Sequence, residues 1–300
     1  MEPEVITVGL DGSAESLAAA RWAAEEAERR HAVLRLLHAW ILLAAEAPDT
    51  PPDRDRNAGA RRLVEQALDE VRAGHQDLRI IEDLVGSEAV PALLRAAEES
   101  RLLALGSRAL TAWESYVLGD VSLEVVGRAG RPVVLVREGW SGRPAFPAAE
   151  GEDVPLPAPH VVVGMGLKGS CDALLAFAFD AAESRGLPLH AVHGRALPVT
   201  AYAPWGVDPD AAEEFVKESE EAVRAAVRPW QERHPGVEVA VTVRPENPTR
   251  ALLRSAPGAV LLAVGRRRRH AFVPRVGPVA HAAMHHAACP VAVVPDERPG

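Results

Sequence analysis

The order of short motifs in this chain occurs twice. A valine-rich run ending in Gly9 has its counterpart in Val161-Val162-Val163-Gly164, and Trp22 has its counterpart in Phe177, each 155 residues later. Further on, Gly119-Asp120-Val121 corresponds to Gly277-Pro278-Val279, and Arg131-Pro132-Val133 to Cys289-Pro290-Val291, 158 residues later. A slowly drifting offset with the order kept marks a tandem duplication with small loop insertions. Two copies of one unit must therefore each build a core, and the 300 residues suit two domains of about 150. The expected domains are 1–137 and 160–300. Between them, 138–159 holds Gly139, Gly142, Pro144, Pro147, Pro155, Pro157 and Pro159, too many helix and strand breakers for anything but a linker. Trp140 and Phe146 are too apolar for a solvated tether and are expected to pack on a domain surface.

Within the first half, β-branched runs alternate with stretches of helical period. Strands are expected at 4–9, 33–39, 78–84, 102–106 and 132–137, and helices at 14–30, 57–73, 88–100 and 120–129. A long Pro/Asp-rich loop precedes the second helix. Strands joined by crossover helices form a parallel sheet covered on both faces. The second half repeats the order, with Val264-Gly265 ending its fourth strand. The fold class is α/β: two tandem five-stranded parallel-sheet domains of Rossmann-like, adenine-nucleotide α-hydrolase-like kind.

Charge narrows the partners. The net charge is −9, with −7 in residues 1–137 and +1 in residues 160–300. A non-specific nucleic-acid surface needs a positive excess to release counterions, so no nucleic-acid partner is expected. Cys171 and Cys289 are the only cysteines, too few for a disulfide framework. No run approaches the roughly 20 apolar residues of a membrane span, and Met1-Glu2-Pro3-Glu4 is acidic where a secretory signal is basic. The expectation is a cytoplasmic protein without membrane attachment.

In a doubly wound sheet, ligands bind beyond the carboxyl ends of the strands, where strand order reverses. Strand one runs into Leu10-Asp11-Gly12-Ser13, and strand four into Gly106-Ser107-Arg108-Ala109, with Gly119-Asp120-Val121-Ser122 opening the next helix. Glycines beside a helix N-terminus offer backbone N–H groups and a positive dipole end to phosphate. Asp11 can accept hydrogen bonds from a base or sugar, or it can simply cap a turn.

These residues resemble the universal stress protein family. Its members carry Val-Asp-Gly-Ser after strand one, Gly-x2-Gly-x9-Gly-(Ser/Thr) after strand four, and Cys-Pro-Val before strand five. The counterparts here are Gly9-Leu10-Asp11-Gly12-Ser13, Gly106 to Ser122, and Cys289-Pro290-Val291 with Arg131-Pro132-Val133. The resemblance covers the chain twice over, as in tandem members from high-GC bacteria. It implies a stress-response module that binds or senses ATP, in the first domain only and with Mg2+ as an optional companion, rather than an enzyme. By position, Asp11 and Gly12 would meet the adenine side and Ala39 the base through its backbone. Gly86 would approach the ribose, while Gly106, Arg108, Gly119, Asp120 and Ser122 would surround the phosphates. Members commonly pair their fifth strands, which implies internal domain pairing through 133–136 and 291–294, and a homodimer.

This chain departs from the pattern in both halves. Ala109 replaces the second glycine, and its Cβ penalises a positive φ. Asp120 stands where Ser or Thr would donate to phosphate; a carboxylate only accepts and repels an anion unless a cation intervenes. In the second half Gly166 replaces the strand-one Asp, Pro278 replaces the hydroxyl, and Arg266-Arg267-Arg268-Arg269-His270 replaces the glycine pair. That run reads as a solvated loop or as a holder of anions through bidentate contacts. Gly164-Met165-Gly166-Leu167-Lys168-Gly169 is a literal dinucleotide fingerprint, but strand two lacks the acidic residue that would follow it; the repeat explains the glycines. His281 and His285 have metal-compatible spacing without a third ligand nearby. Cys171 begins a helix, and Cys289 reads as a small buried filler. The competing functions are a nucleotide-free scaffold for other proteins and a weak ATP-hydrolysing enzyme.

Overall fold

A computed structural model describes residues 3–40, 58–107, 120–140, 159–167, 169, 171–198, 201–203, 206–266 and 276–296. The chain divides into two compact units, Met1–Ser141 and Gly142–Gly300. Of the proline-rich segment expected as a linker, residues 141–158 lie outside the described residues.

Unit 1 runs β1 (Val5–Gly9), α1 (Ala14–Arg29), β2 (Val33–Ala39), α2 (Ala58–Gly74), β3 (Ile80–Val85), α3 (Ala89–Glu98), β4 (Leu102–Ser107), α4 (Asp120–Arg128) and β5 (Val133–Arg137). Its strands lie in the order β3-β2-β1-β4-β5, all parallel. Strand order reverses between β1 and β4, so the connections from β1 to β2 and from β4 to β5 run outward in opposite directions. That placement opens a crevice at the carboxyl ends of these two strands.

Side-chain size sets how closely the layers approach. The buried apolar residues of α1 are Ala18, Ala19, Ala20, Ala23, Ala24 and Ala27, with Trp22 the single large one among them. An alanine-rich helix surface lets the backbone come close to the sheet, against Ile6, Val8, Leu34, Leu36 and Leu102, all fully buried on one face. The close approach is tightest at the end of β4. A Cβ on Gly106 would stand 2.6 Å from the Glu15 carbonyl carbon and 2.6 Å from the Ser16 nitrogen.

Unit 2 runs β6 (His160–Gly164), α5 (Asp172–Glu183), β7 (Leu189–Gly194), β8 (Tyr202–Ala203), β9 (Gly206–Val207), α6 (Pro209–Arg233), β10 (Val239–Arg244), α7 (Pro248–Ser255), β11 (Ala259–Arg266), α8 (Pro278–His286) and β12 (Val291–Pro295). Its parallel sheet has the order β10-β7-β6-β11-β12, the same winding as unit 1.

Two differences from the sequence reading stand out. The first is the antiparallel pair β8–β9, two residues per strand and too short to show alternation. The second is β11, which continues past Gly265 to Arg266. The Arg266 carbonyl accepts from the Asp296 N–H at 3.1 Å, and its side chain is buried. The first arginine of the basic run is therefore a strand terminus and not a solvated loop residue; residues 267–270 lie outside the described residues. α5 begins at Cys171, its N-cap, as the sequence places it; the helix proper starts at Asp172, three residues beyond the position Gly169 that the repeat offset gives, and Gly169 has φ +92. That later start leaves a Cβ on Gly265, the counterpart of Gly106, in ordinary contact at 3.5 Å with Leu174.

Candidate functional site

The exit of β1 is fastened before any ligand is considered. The Leu10 N–H donates to the Leu37 carbonyl at 2.8 Å, and His38 Nδ1–H donates to the Leu10 carbonyl at 2.8 Å. Asp11 Oδ1 accepts from the Ser13 N–H at 2.9 Å and from the Ser13 hydroxyl at 2.5 Å. Ser13, not Asp11, is the N-cap of α1, with its Oγ accepting from the Ser16 N–H at 3.1 Å. Asp11 thus holds the turn that presents the helix, and its side chain remains exposed at the mouth of the crevice. Gly12 takes φ +82, a conformation that disfavours a Cβ, and a Cβ there would meet Leu63 of α2 at 3.0 Å.

Parallel register gathers the other sequence-derived residues at the same end of the sheet. Gly9 lies opposite Leu37 and Leu105, and Ala39 opposite Val85. Asp11, Gly12, Ala39, Gly86 and Gly106 therefore share the carboxyl edge of unit 1. Asp120 is the first residue of α4, and half-buried Ser122 lies in its first turn. Arg108, Ala109 and Gly119 lie outside the described residues. Gly106 carries a packing role that its place in a glycine signature does not reveal: it admits the N-terminus of α1 to the end of β4.

Two further groups belong to this end of the unit. Ser107 Oγ is buried without a hydrogen-bond partner among the described residues. A donor hydroxyl in that state suits an anionic oxygen. Trp40 follows Ala39, its N–H donating to the Val85 carbonyl at 3.0 Å, and its ring carbon Cζ2 lies 3.9 Å from where a Cβ on Gly86 would stand.

Unit 2 keeps the frame and changes the contents. His193 repeats His38, with Nδ1–H donating to the Met165 carbonyl at 2.9 Å, and the Arg195 N–H repeats the Trp40 bond by donating to the Arg244 carbonyl at 3.1 Å. The repeat offset that relates Gly9 to Gly164 also relates His38 to His193, and this is the signal that would have found the clamp. At the ligand positions stand Gly166 for Asp11, Gly194 for Ala39, Pro245 for Gly86 and Pro278 for Asp120. Cys171 occupies the N-cap position of α5 without a side-chain capping bond, and donates its thiol hydrogen back to the Gly166 carbonyl at 3.0 Å; Cys289 is buried. The His281 and His285 rings lie 4.3 Å apart, and among the described residues no group of three or more His, Cys, Asp or Glu side chains could hold a metal ion. Among the described residues, no helix is long and apolar enough to cross a membrane.

Two parallel-sheet units with a shared clamp and a shared crevice match a known pattern. The sequence profile of the universal stress protein family fits residues 3–137 and again residues 158–295. The chain belongs to the universal stress protein family. A universal stress protein of Mycobacterium tuberculosis strain H37Rv is 32% identical over 303 residues, covering 96% of this chain and 96% of its own. The crystal structure of a universal stress protein from Archaeoglobus fulgidus superposes with a TM-score of 0.67 at 18% identity, covering 98% of this chain and 99% of that one. A further universal stress protein, 27% identical, covering 45% of this chain and 96% of its own with a TM-score of 0.35, was solved in complex with cAMP.

Proposed function

We propose that the chain is a cytoplasmic nucleotide-binding or sensing module of the stress response, with an ATP site in unit 1 only. The observation that carries this reading is the gathering of Asp11, Gly12, Ala39, Gly86 and Gly106 at the carboxyl edge where strand order reverses. Asp11 would accept from the base, and the buried Ser107 hydroxyl, with Arg108, Gly119 and Ser122, would meet the phosphates. These groups fit a nucleotide, but Asp120 at the head of α4 is an internal anion that weakens the hold on a triphosphate. Asp120 would hold Mg2+, which when bound would supply the positive charge that offsets the carboxylate toward a phosphate.

In this reading unit 2 is a structural or regulatory partner domain, without nucleotide in the same pose. We keep as proposals the boundaries 1–137, 138–159 and 160–300, the pairing of the fifth strands β5 and β12, and the homodimer. A scaffold that binds only proteins and a weak ATP-hydrolysing enzyme are the competing readings.

Native mass spectrometry of the freshly purified full chain, with added ATP and Mg2+, separates them. Retained ATP on a dimeric species is the expected result. ADP formed on incubation would favour the enzyme, and no nucleotide at all would favour the scaffold. Asp120→Ser removes the internal anion and is expected to tighten ATP several-fold by calorimetry. An unchanged affinity would refute the role given to Asp120.

A further inference from the structure

We propose that Trp40 is the aromatic wall of a purine subsite in unit 1, and that Gly86 is glycine in order to leave the base room beside it. This deepens the nucleotide reading above and rests on it.

The glycines of this fold are of different kinds. Gly106 and Gly194 are required by packing, since a Cβ on each would come within 2.7 Å of a neighbouring backbone atom. Gly12 is required by its φ of +82. Gly86 is under neither constraint. Its φ is not positive, it is exposed, and among the described residues the only atom within 4 Å of a Cβ there is Trp40 Cζ2, at an ordinary 3.9 Å. The fold tolerates a side chain at 86; what a side chain would take up is the space against the indole.

The indole itself is held from its backbone. The Trp40 N–H extends the β2–β3 pairing one residue beyond Ala39 by donating to the Val85 carbonyl at 3.0 Å. The ring is half-buried, at the ligand end of the sheet, on the strand adjacent to the one that delivers Asp11. A flat π surface takes a nucleobase by stacking, and a carboxylate acceptor in the same crevice favours a base bearing an exocyclic amino donor. Together they select an aminopurine over a pyrimidine, whose smaller ring overlaps the indole less.

Unit 2 supplies the internal control. Its frame is preserved, with the His193 and Arg195 bonds repeating those of His38 and Trp40. All three groups of the base subsite have nevertheless changed together: Asp11 to Gly166, Trp40 to Arg195 and Gly86 to Pro245. The Arg195 guanidinium lies over the Phe215 ring at 4.9 Å, so its face is already engaged. Mere support of the fold at the end of the second strand would not require aromatic, glycine and carboxylate to be lost as a set.

The test uses the full-length chain with ATP, AMP and CTP, read by tryptophan emission and by calorimetry. ATP and AMP are expected to quench the emission and CTP to bind at least several-fold more weakly. The quench should vanish in Trp40→Phe, which keeps a ring for stacking and most of the affinity. Trp40→Ala should bind ATP roughly tenfold more weakly, the size of one lost base stack. Gly86→Ala should lose affinity comparably with an unchanged melting temperature, and it decides the matter should Trp40→Ala fail to fold. Wild-type affinity for ATP in both Trp40→Ala and Gly86→Ala would overturn this inference while leaving the nucleotide reading standing. No binding of any nucleotide by the wild-type chain would overturn both.

Discussion

At the scale of single residues, the two copies allow a glycine to be judged against its own counterpart. Gly106 and Gly265 occupy the same place at the end of the fourth strand, yet a Cβ would stand 2.6 Å from the backbone of α1 in the first case and 3.5 Å from a leucine side chain in the second. A backbone atom cannot rotate away as a side chain can, so Gly106→Ala must push α1 off the sheet. Overpacking of this kind costs about 1–3 kcal/mol, and Gly265→Ala should cost under about 0.5 kcal/mol, as neutral substitutions do. Urea unfolding monitored by circular dichroism checks the pair; equal midpoints would mean that α1 does not approach β4 as described. Sequence alone could assign Gly106 to a ligand signature but could not reveal this contact, because the approach depends on where α1 begins. His38 and His193 were illegible for another reason: a histidine closing an apolar strand reads as a core residue until the carbonyl it clamps is seen.

At the scale of elements, most of the α/β order was legible, because β-branched runs and amphipathic stretches alternate without ambiguity. The exception at β11 was fixed by tertiary burial: the strand ends late because Arg266 remains buried in the sheet. β7 illustrates a polar residue on such a strand. His190 Nε2 lies 2.8 Å from Thr242 Oγ1 on β10, its ring centroid 5.7 Å from that of His160 on β6. Burial foremost, then the nearby His160 and Arg244, lowers its pKa from 6.5 to about 4. The unfolded chain therefore takes up this proton first as pH falls from 6.5 toward 4, and native stability drops across that window and is unaffected above pH 7. Screening at this half-buried site limits the loss to on the order of 1–2 kcal/mol. His190→Gln, which retains a partner for Thr242, should flatten the acid limb by that amount. Urea midpoints at pH 7 and pH 4.5 measure it, and parallel limbs for wild type and variant would contradict the assignment.

At the scale of the whole molecule, the two units keep one scaffold and differ in the residues at its carboxyl edge. The clamp histidine, the backbone bond at the end of the second strand and the reversal of strand order are common to both units, so neither winding nor clamping separates them. What separates them is chemistry at the carboxyl edge. Unit 1 offers the acceptor Asp11, the open Gly86 and the first turn of α4 led by Asp120; unit 2 offers Gly166, Pro245 and Pro278, with α5 drawn back by Gly169. A proline at the first position of α8 also removes one N–H that an anion could use there. The expected binding stoichiometry is therefore one adenine nucleotide per chain, not the two that a tandem protein would offer if both crevices worked. Asp11→Asn should weaken that single site roughly tenfold, because the amide retains only one acceptor oxygen and loses the charge. Gly166→Asp should not create a second site, since the acceptor alone leaves Pro245, Pro278 and the retracted helix unchanged. Calorimetry on the two variants reads both outcomes. A second equivalent of ATP on the wild-type chain would show that the contents of unit 2 matter less than the scaffold it shares with unit 1.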